Sequence, residues 1–210
     1  MRTEGRTDAQ IEAKLGRPGA GLSWPAMLYM RYYLGPRVAA NADWHTETTR
    51  FHDTTQDILR IVEQMDNSQL QTRILVPRLR GIEDSSRYWS AAMTLEHVMI
   101  VGMGVRDIII RLSTEQAPPG RAETARVKPQ GKLPAQTVLD NYKNFAIALI
   151  PQIETAVPAD KRDAKATYEH PWFGAFTLRQ WHWMLAEHNA IHLRQLQEIA
   201  ARVGAAPLDR

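Results

Sequence analysis

The chain of 210 residues contains no cysteine. Disulfide bridges, thiolate metal sites, iron–sulfur clusters and a cysteine nucleophile are therefore excluded together, and any metal chemistry falls to His, Asp and Glu. Long apolar runs are missing as well. The run from Val98 to Val105 ends at Arg106 and Asp107, and the run from Ala146 to Ile150 ends at Pro151. Both are far shorter than the ~20 residues a membrane helix requires, so no membrane partner is expected. Nor does one sign of charge dominate: 26 basic against 23 acidic residues leave a net charge of +3, too little to argue for a nucleic-acid partner. The polar N-terminus mixes acidic with basic residues and matches neither a secretory signal nor a transit peptide, so a cytoplasmic location is expected. What remains, 44% apolar and 23% charged residues, is the composition of a globular chain with a core of its own.

Residues 1 to 22 carry Gly5, Gly16, Pro18, Gly19 and Gly21 among charges, which reads as a loosely held arm with one short helix at Ala9 to Leu15. The segment from Trp24 to Ala40 is aromatic-rich, and Pro25 follows Ser23 as a first-turn residue. It reads either as a short helix covering the main core or as a subunit interface or lid. From Asp43 to Met65, the residues Phe51, Ile58, Leu59, Ile61, Val62 and Met65 recur at helical spacing. Ser90 can cap a second helix, in which Met93, Val98, Val101, Val105, Ile108 and Leu112 face inward and Arg106, Asp107 and Arg111 outward. Pro134 suits the first turn of a third helix, with Val138, Leu139, Tyr142, Phe145, Leu149 and Ile153 as its buried stripe and a kink at Pro151. Thr177 and Gln180 form a T-x-x-Q capping box that opens the fourth and longest helix, to about Val203, with Gly204 as its stop.

Residues 113–133 gather Pro118, Pro119, Gly120, Pro129 and Gly131 into a connection longer than the usual span of about 2 to 8 residues between bundle helices, hence a crossover, a mobile flap or both. Arg73, Arg78, Arg80 and Arg87, like Arg121, Arg126, Lys128 and Lys132, read as solvated loop charges. No alternating strand pattern competes with the helices. The expected fold is all-α: an up-and-down four-helix bundle with a long crossover loop, divided into an N-terminal arm with a short helical extension (1–42) and a bundle domain (43–210).

The seven histidines sort by spacing. His188 and His192 are four apart on the fourth helix, about 40° apart around its axis and one turn apart in height, so both imidazoles can reach one ion. Trp181, Leu185, Leu196 and Ile199 share their stripe, so the pair faces inward, as chelating ligands or as hydrogen-bonded core histidines. His97 faces inward from the second helix; if helices two and four are neighbours, it completes a set of three nitrogens with one position open. His182 lies about 120° off that face and reads as a partly exposed helical residue. His45 and His52 read as surface or boundary residues. His170 either fixes the turn beside Pro171 or sits at the mouth of the site. Gln195, one turn beyond His192, and Tyr88 or Trp89 before the second helix are candidates for supporting or pocket roles. No H-E-x-x-H, E-x-x-H, G-x-x-x-x-G-K or G-x-S-x-G occurs, which removes the zincin, ferritin-like, phosphate-loop and serine-hydrolase signatures.

The order of the short motifs is more specific than any one of them. W-S-A-A-M-T-L-E-H runs from Trp89 to His97, H-P-W-F-G from His170 to Gly174, Q-W at Gln180, and H-N-A-I-H-L-R-Q from His188 to Gln195. In this the chain resembles the DinB-like family of metal-binding four-helix bundles, over roughly Thr46 to Val203. The resemblance implies that His97, His188 and His192 hold one divalent metal ion, zinc or nickel. The family includes transferases and isomerases that use low-molecular-weight thiols such as bacillithiol or mycothiol, alongside many members without known activity. Two functions are therefore expected as alternatives. One is a metal-dependent transferase or hydrolase that activates a thiol or water toward a small-molecule substrate, with a low-molecular-weight thiol as cosubstrate. The other is a metal-stabilised bundle without catalysis, serving as a stress-related binding or assembly protein. The resemblance and the aromatic segment also lead us to expect a homodimer.

Overall fold

The computed structural model describes residues 7–21, 23–38 and 41–205. Four long helices carry the molecule: α4 (Trp44–Val62), α6 (Ala91–Ser113), α7 (Ala135–Ala156) and α8 (Leu178–Val203). Local chemistry sets their ends. The Asp43 carboxylate accepts from the N–H of Thr46 at 2.8 Å to start α4, and the Ser90 hydroxyl accepts from Met93 N–H to start α6. Thr177 and Gln180 form the expected capping box on α8, which stops at Gly204 with φ 72°, a left-handed conformation that glycine adopts without a Cβ clash. Helix α7 begins right after Pro134 and continues through Pro151 to Ala156. Helix α4 ends at Val62, and Asp66 then caps a short helix, α5 (Asn67–Gln71).

Both α4 and α6 pack on α8 and on α7, so the helices run around the bundle in the order α4, α8, α6, α7. Phe51, Ile58, Leu95, Ile109, Leu112, Tyr142, Leu149, Ile153 and Leu196 fill the space between them and are fully buried. The second and fourth long helices are thus neighbours, as the proposed histidine set requires. No described helix is long and apolar enough to cross a membrane.

Two antiparallel hairpins depart from the strand-free expectation. β1 (Ile74–Leu75) pairs with β2 (Tyr88–Trp89), and β3 (Thr167–His170) pairs with β4 (Gly174–Thr177). Strands of two and four residues are too short to establish an alternating pattern. They nevertheless deliver Trp89 to the start of α6 and His170 to the start of α8.

The arm is held more firmly than its composition implied. Its helix α1 (Asp8–Glu12) buries Ile11, and the Asp8 carboxylate accepts from the Tyr88 hydroxyl at 2.7 Å. Arg73 bridges to Glu12, and the N–H groups of Gly16 and Gly21 donate to Asp84 and Glu83. The aromatic segment forms α2 (Trp24–Tyr29), a π-helical turn (Met30–Leu34) and α3 (Gly35–Val38). Met30 and Leu34 pack against the core, whereas Trp24 is 72% and Tyr32 69% exposed, so the aromatic rings do not cover the core.

Candidate metal centre

His97 on α6 and His188 and His192 on α8 meet in the bundle interior. Each contributes a ring nitrogen, and the three nitrogens lie within 4.8 Å of one another. His97 Nε2 and His188 Nε2 are 3.1 Å apart, close to the separation of about 3.3 Å for two nitrogens bound tetrahedrally to one zinc ion. The ring of Trp89 lies parallel to His192 at 6.2 Å between centroids and tilted against His97 at 5.0 Å, closing one side.

Hydrogen bonds on the far side of the rings fix two tautomers. The backbone carbonyl of Val127 can only accept, so His97 Nδ1, 2.7 Å away, carries the proton and leaves Nε2 with its lone pair free. His192 Nδ1 donates to Gln195 Oε1 at 2.8 Å, because the Gln195 amide nitrogen is already donating to the Ser86 carbonyl at 2.8 Å. Its Nε2 is left bare by the same reasoning. Burial pushes His97 down to about 4. Burial, followed by the neighbouring histidines, pushes His188 and His192 well below the usual imidazole range. Two bare Nε2 atoms converging on His188 Nε2, all on neutral rings, make a donor set that suits a divalent cation.

The long connection between α6 and α7 takes part in this site, a role that spacing alone could not reveal. Val127 belongs to it, and so does Lys128, which is far from the solvated loop charge expected. The Lys128 ammonium donates to Glu83 at 2.5 Å, Ser86 Oγ at 2.6 Å and Ser85 Oγ at 3.0 Å, and sits 5.5 Å from the centre of the Trp89 ring. Burial would raise the Glu83 carboxyl, but the Lys128 ammonium and the N–H of Gly21 hold it below the usual range. Glu83 also accepts from Thr124 Oγ1 at 3.1 Å. One buried carboxylate thus ties the arm, the loop and the segment before α6 together beside the histidines.

A cavity of about 340 Å³ adjoins the three histidines. Ile82, Ile100, Val101, Ile108, Met184 and Ile191 give it apolar walls, with Glu83, Lys128, His170 and Trp181 among its polar groups. Its size falls at the lower end of the range for small-molecule sites, about 300–1,000 Å³.

The other sequence candidates separate clearly. Gln195 touches His192, as expected of a supporting residue. Tyr88 does not reach the site, because adjacent residues of a strand point to opposite faces: Trp89 faces the histidines while the Tyr88 hydroxyl binds Asp8, and burial pushes that phenol up to about 12. His170 both fixes its turn, accepting at Nδ1 from the N–H groups of Trp172 and Phe173, and lines the cavity. His182 is buried, not partly exposed: its ring stacks on Trp44 at 3.8 Å and its Nε2 lies 3.2 Å from Thr48 Oγ1. Helix α4 covers that side of α8, so the face opposite the metal ligands is also interior. His45 and His52 are exposed, as expected.

A family model described as the DinB superfamily matches residues 50–196. Among solved structures, the chain is similar to the crystal structure of TT2238, a four-helix bundle protein. The two share 21% identity with a TM-score of 0.48, over 74% of this chain and 98% of that one. No curated protein matches.

Proposed function

The chain belongs to the DinB superfamily, and from that premise we propose that it binds one divalent ion, zinc or nickel, through His97, His188 and His192 and uses it on a small molecule held in the adjoining cavity. The observation that carries the reading is the pair of locked tautomers, with Val127 and Gln195 turning His97 and His192 so that their free lone pairs converge with His188. When bound, the ion supplies a positive charge that lowers the pKa of a thiol or water at its open position. With no cysteine in the chain, a thiol must arrive as a cosubstrate of low molecular weight. The protein's own contribution is positioning and exclusion of water: aliphatic walls take an apolar body, while the loop held by Glu83 and Lys128 keeps Val127 against His97.

The cavity favours catalysis over a metal-stabilised bundle without activity. In that alternative, Trp172, Trp181 or the aromatic segment would fill the space beside the histidines; here space remains and the aromatic rings of that segment face outward. The test is turnover by metal-free, zinc-loaded and nickel-loaded protein, offering an electrophile with a low-molecular-weight thiol and, separately, an ester with water. Metal-dependent consumption of either, absent from a His97→Ala/His188→Ala variant, is expected. Full metal loading without turnover and without thiol binding would leave the non-catalytic bundle.

A further inference from the structure

His170 ends strand β3 beneath a tight turn, and its ring is packed on Phe173, Phe176 and Trp181 with centroids 4.9, 5.4 and 5.3 Å away. Only 6% of the residue is exposed. Its Nδ1 accepts two backbone hydrogen bonds, from Trp172 N–H at 3.1 Å and Phe173 N–H at 3.3 Å. A nitrogen that accepts cannot carry the proton, so the neutral ring must hold it on Nε2. Protonating Nδ1 would set an N–H against two N–H donors inside the protein. Burial alone already pushes the group down to about 3.

The Nε2–H has no acceptor among the described residues, yet it is not among the atoms sealed away without a partner, so it borders open space. The open space that His170 lines is the cavity beside His97, His188 and His192. The buried carboxylate nearby, Glu83, is engaged by Lys128, Thr124 and Gly21. His170 thus presents an unpaired donor on the cavity wall, a suitable arrangement for a ligand bearing an acceptor oxygen.

We propose that His170 is a hydrogen-bond donor to bound substrate, presenting Nε2–H to the carbonyl oxygen of a small, mostly apolar molecule in this cavity. The proposal rests on the cavity being the small-molecule site and does not depend on the metal. It narrows the substrate class to carbonyl compounds with an aliphatic or alicyclic body.

Two substitutions separate this donor role from a purely local role in the turn. His170→Asn keeps an acceptor oxygen at the Nδ1 position and deletes the Nε2 donor. His170→Gln carries its amide out to the Nε2 position and gives up the turn contact. The experiment uses the full chain, metal-free, with cyclohexanone as the probe, an acceptor without a donor of its own. Long-range proton–nitrogen NMR should find the His170 proton on Nε2, with no titration between pH 5 and 8, and the Nε2–H resonance should move as cyclohexanone is added. Affinity should fall about fivefold in His170→Asn at unchanged melting temperature, and stay within twofold in His170→Gln even where that variant melts earlier. A proton on Nδ1, a wild type that does not bind cyclohexanone, or a His170→Asn variant that binds as tightly as wild type would overturn the proposal. A zinc titration of the same samples keeps the two readings apart. Absence of zinc binding with the ketone results intact removes the metal assignment alone, and failed ketone results with zinc bound remove the donor assignment alone.

Discussion

Replacing His182 by Phe should flatten the acid side of the stability profile. The imidazole lies parallel to Trp44 at 3.8 Å, with Nε2 3.2 Å from Thr48 Oγ1, and burial, followed by the charges of Arg162 and Arg179, pushes it down to about 3. In the folded chain it stays neutral through the mildly acidic range, whereas in the unfolded chain it takes a proton below its ordinary value of about 6.5. The unfolded state then binds more protons, so this contribution is complete above pH 6.5 and is lost as the pH falls toward 3. One such group changes stability by about 1.4 kcal/mol per pH unit inside that window, which integrates to roughly 2 kcal/mol between pH 7 and pH 5. Phe preserves the stack on Trp44 and carries no titrating proton. Urea unfolding of wild type and His182→Phe, each at pH 7 and pH 5 in the presence of a chelator, isolates the difference, because the remaining histidines are common to both chains. Wild type should lose about 2 kcal/mol more than the variant. Equal losses would mean that His182 is solvated, and the burial argument for α8 would be wrong.

Four further substitutions test specific contacts. Gln195→Leu strands His192 Nδ1–H and the Ser86 carbonyl, and should cost about 1–3 kcal/mol in unfolding free energy and about 10–100-fold in zinc affinity measured against a chromophoric chelator; unchanged affinity would deny Gln195 its orienting role. Lys128→Met leaves the Glu83 carboxylate buried without its cation, and should cost about 3 kcal/mol while speeding amide exchange across Thr124 to Val127; normal exchange there would show that the loop is held by other contacts. Gly102→Ala drives a Cβ to 2.5 Å from Phe145 Cζ and should destabilise by about 1–3 kcal/mol, whereas Gly104→Ala meets nothing within 4 Å and should stabilise α6 by about 0.5–1 kcal/mol in the same thermal melts.

The parts of this molecule that repeat along the chain were the parts legible in it. Caps at Ser90 and Thr177 and the apolar stripes located the long helices, and a spacing of four placed His188 and His192 on one face of α8. His97 was less direct: its inward face was readable, but its partnership depended on α6 and α8 being neighbours. Contacts made by backbone, or between single residues far apart, leave no periodic trace. The Val127 carbonyl that turns His97 has no side-chain signature, and Glu83 and Lys128 pair 45 positions apart, from the irregular segments on either side of α6. An angle taken from the metal face alone places His182 toward solvent, whereas α8 is covered by α4 on one side and by α6 on another. Tyr88 and Trp89 could be told apart only once the two-residue strand β2 assigned them to opposite faces.

The central claim is that three convergent, neutral imidazoles hold one divalent ion, and metal content tests it most directly. Untagged protein purified without chelator should carry about one zinc or nickel per chain by elemental analysis, lose it in His97→Ala/His188→Ala and keep it in His182→Phe. Metal-free wild type that gains no stability when zinc or nickel is added, or a double variant that retains a full complement of metal, would contradict the account.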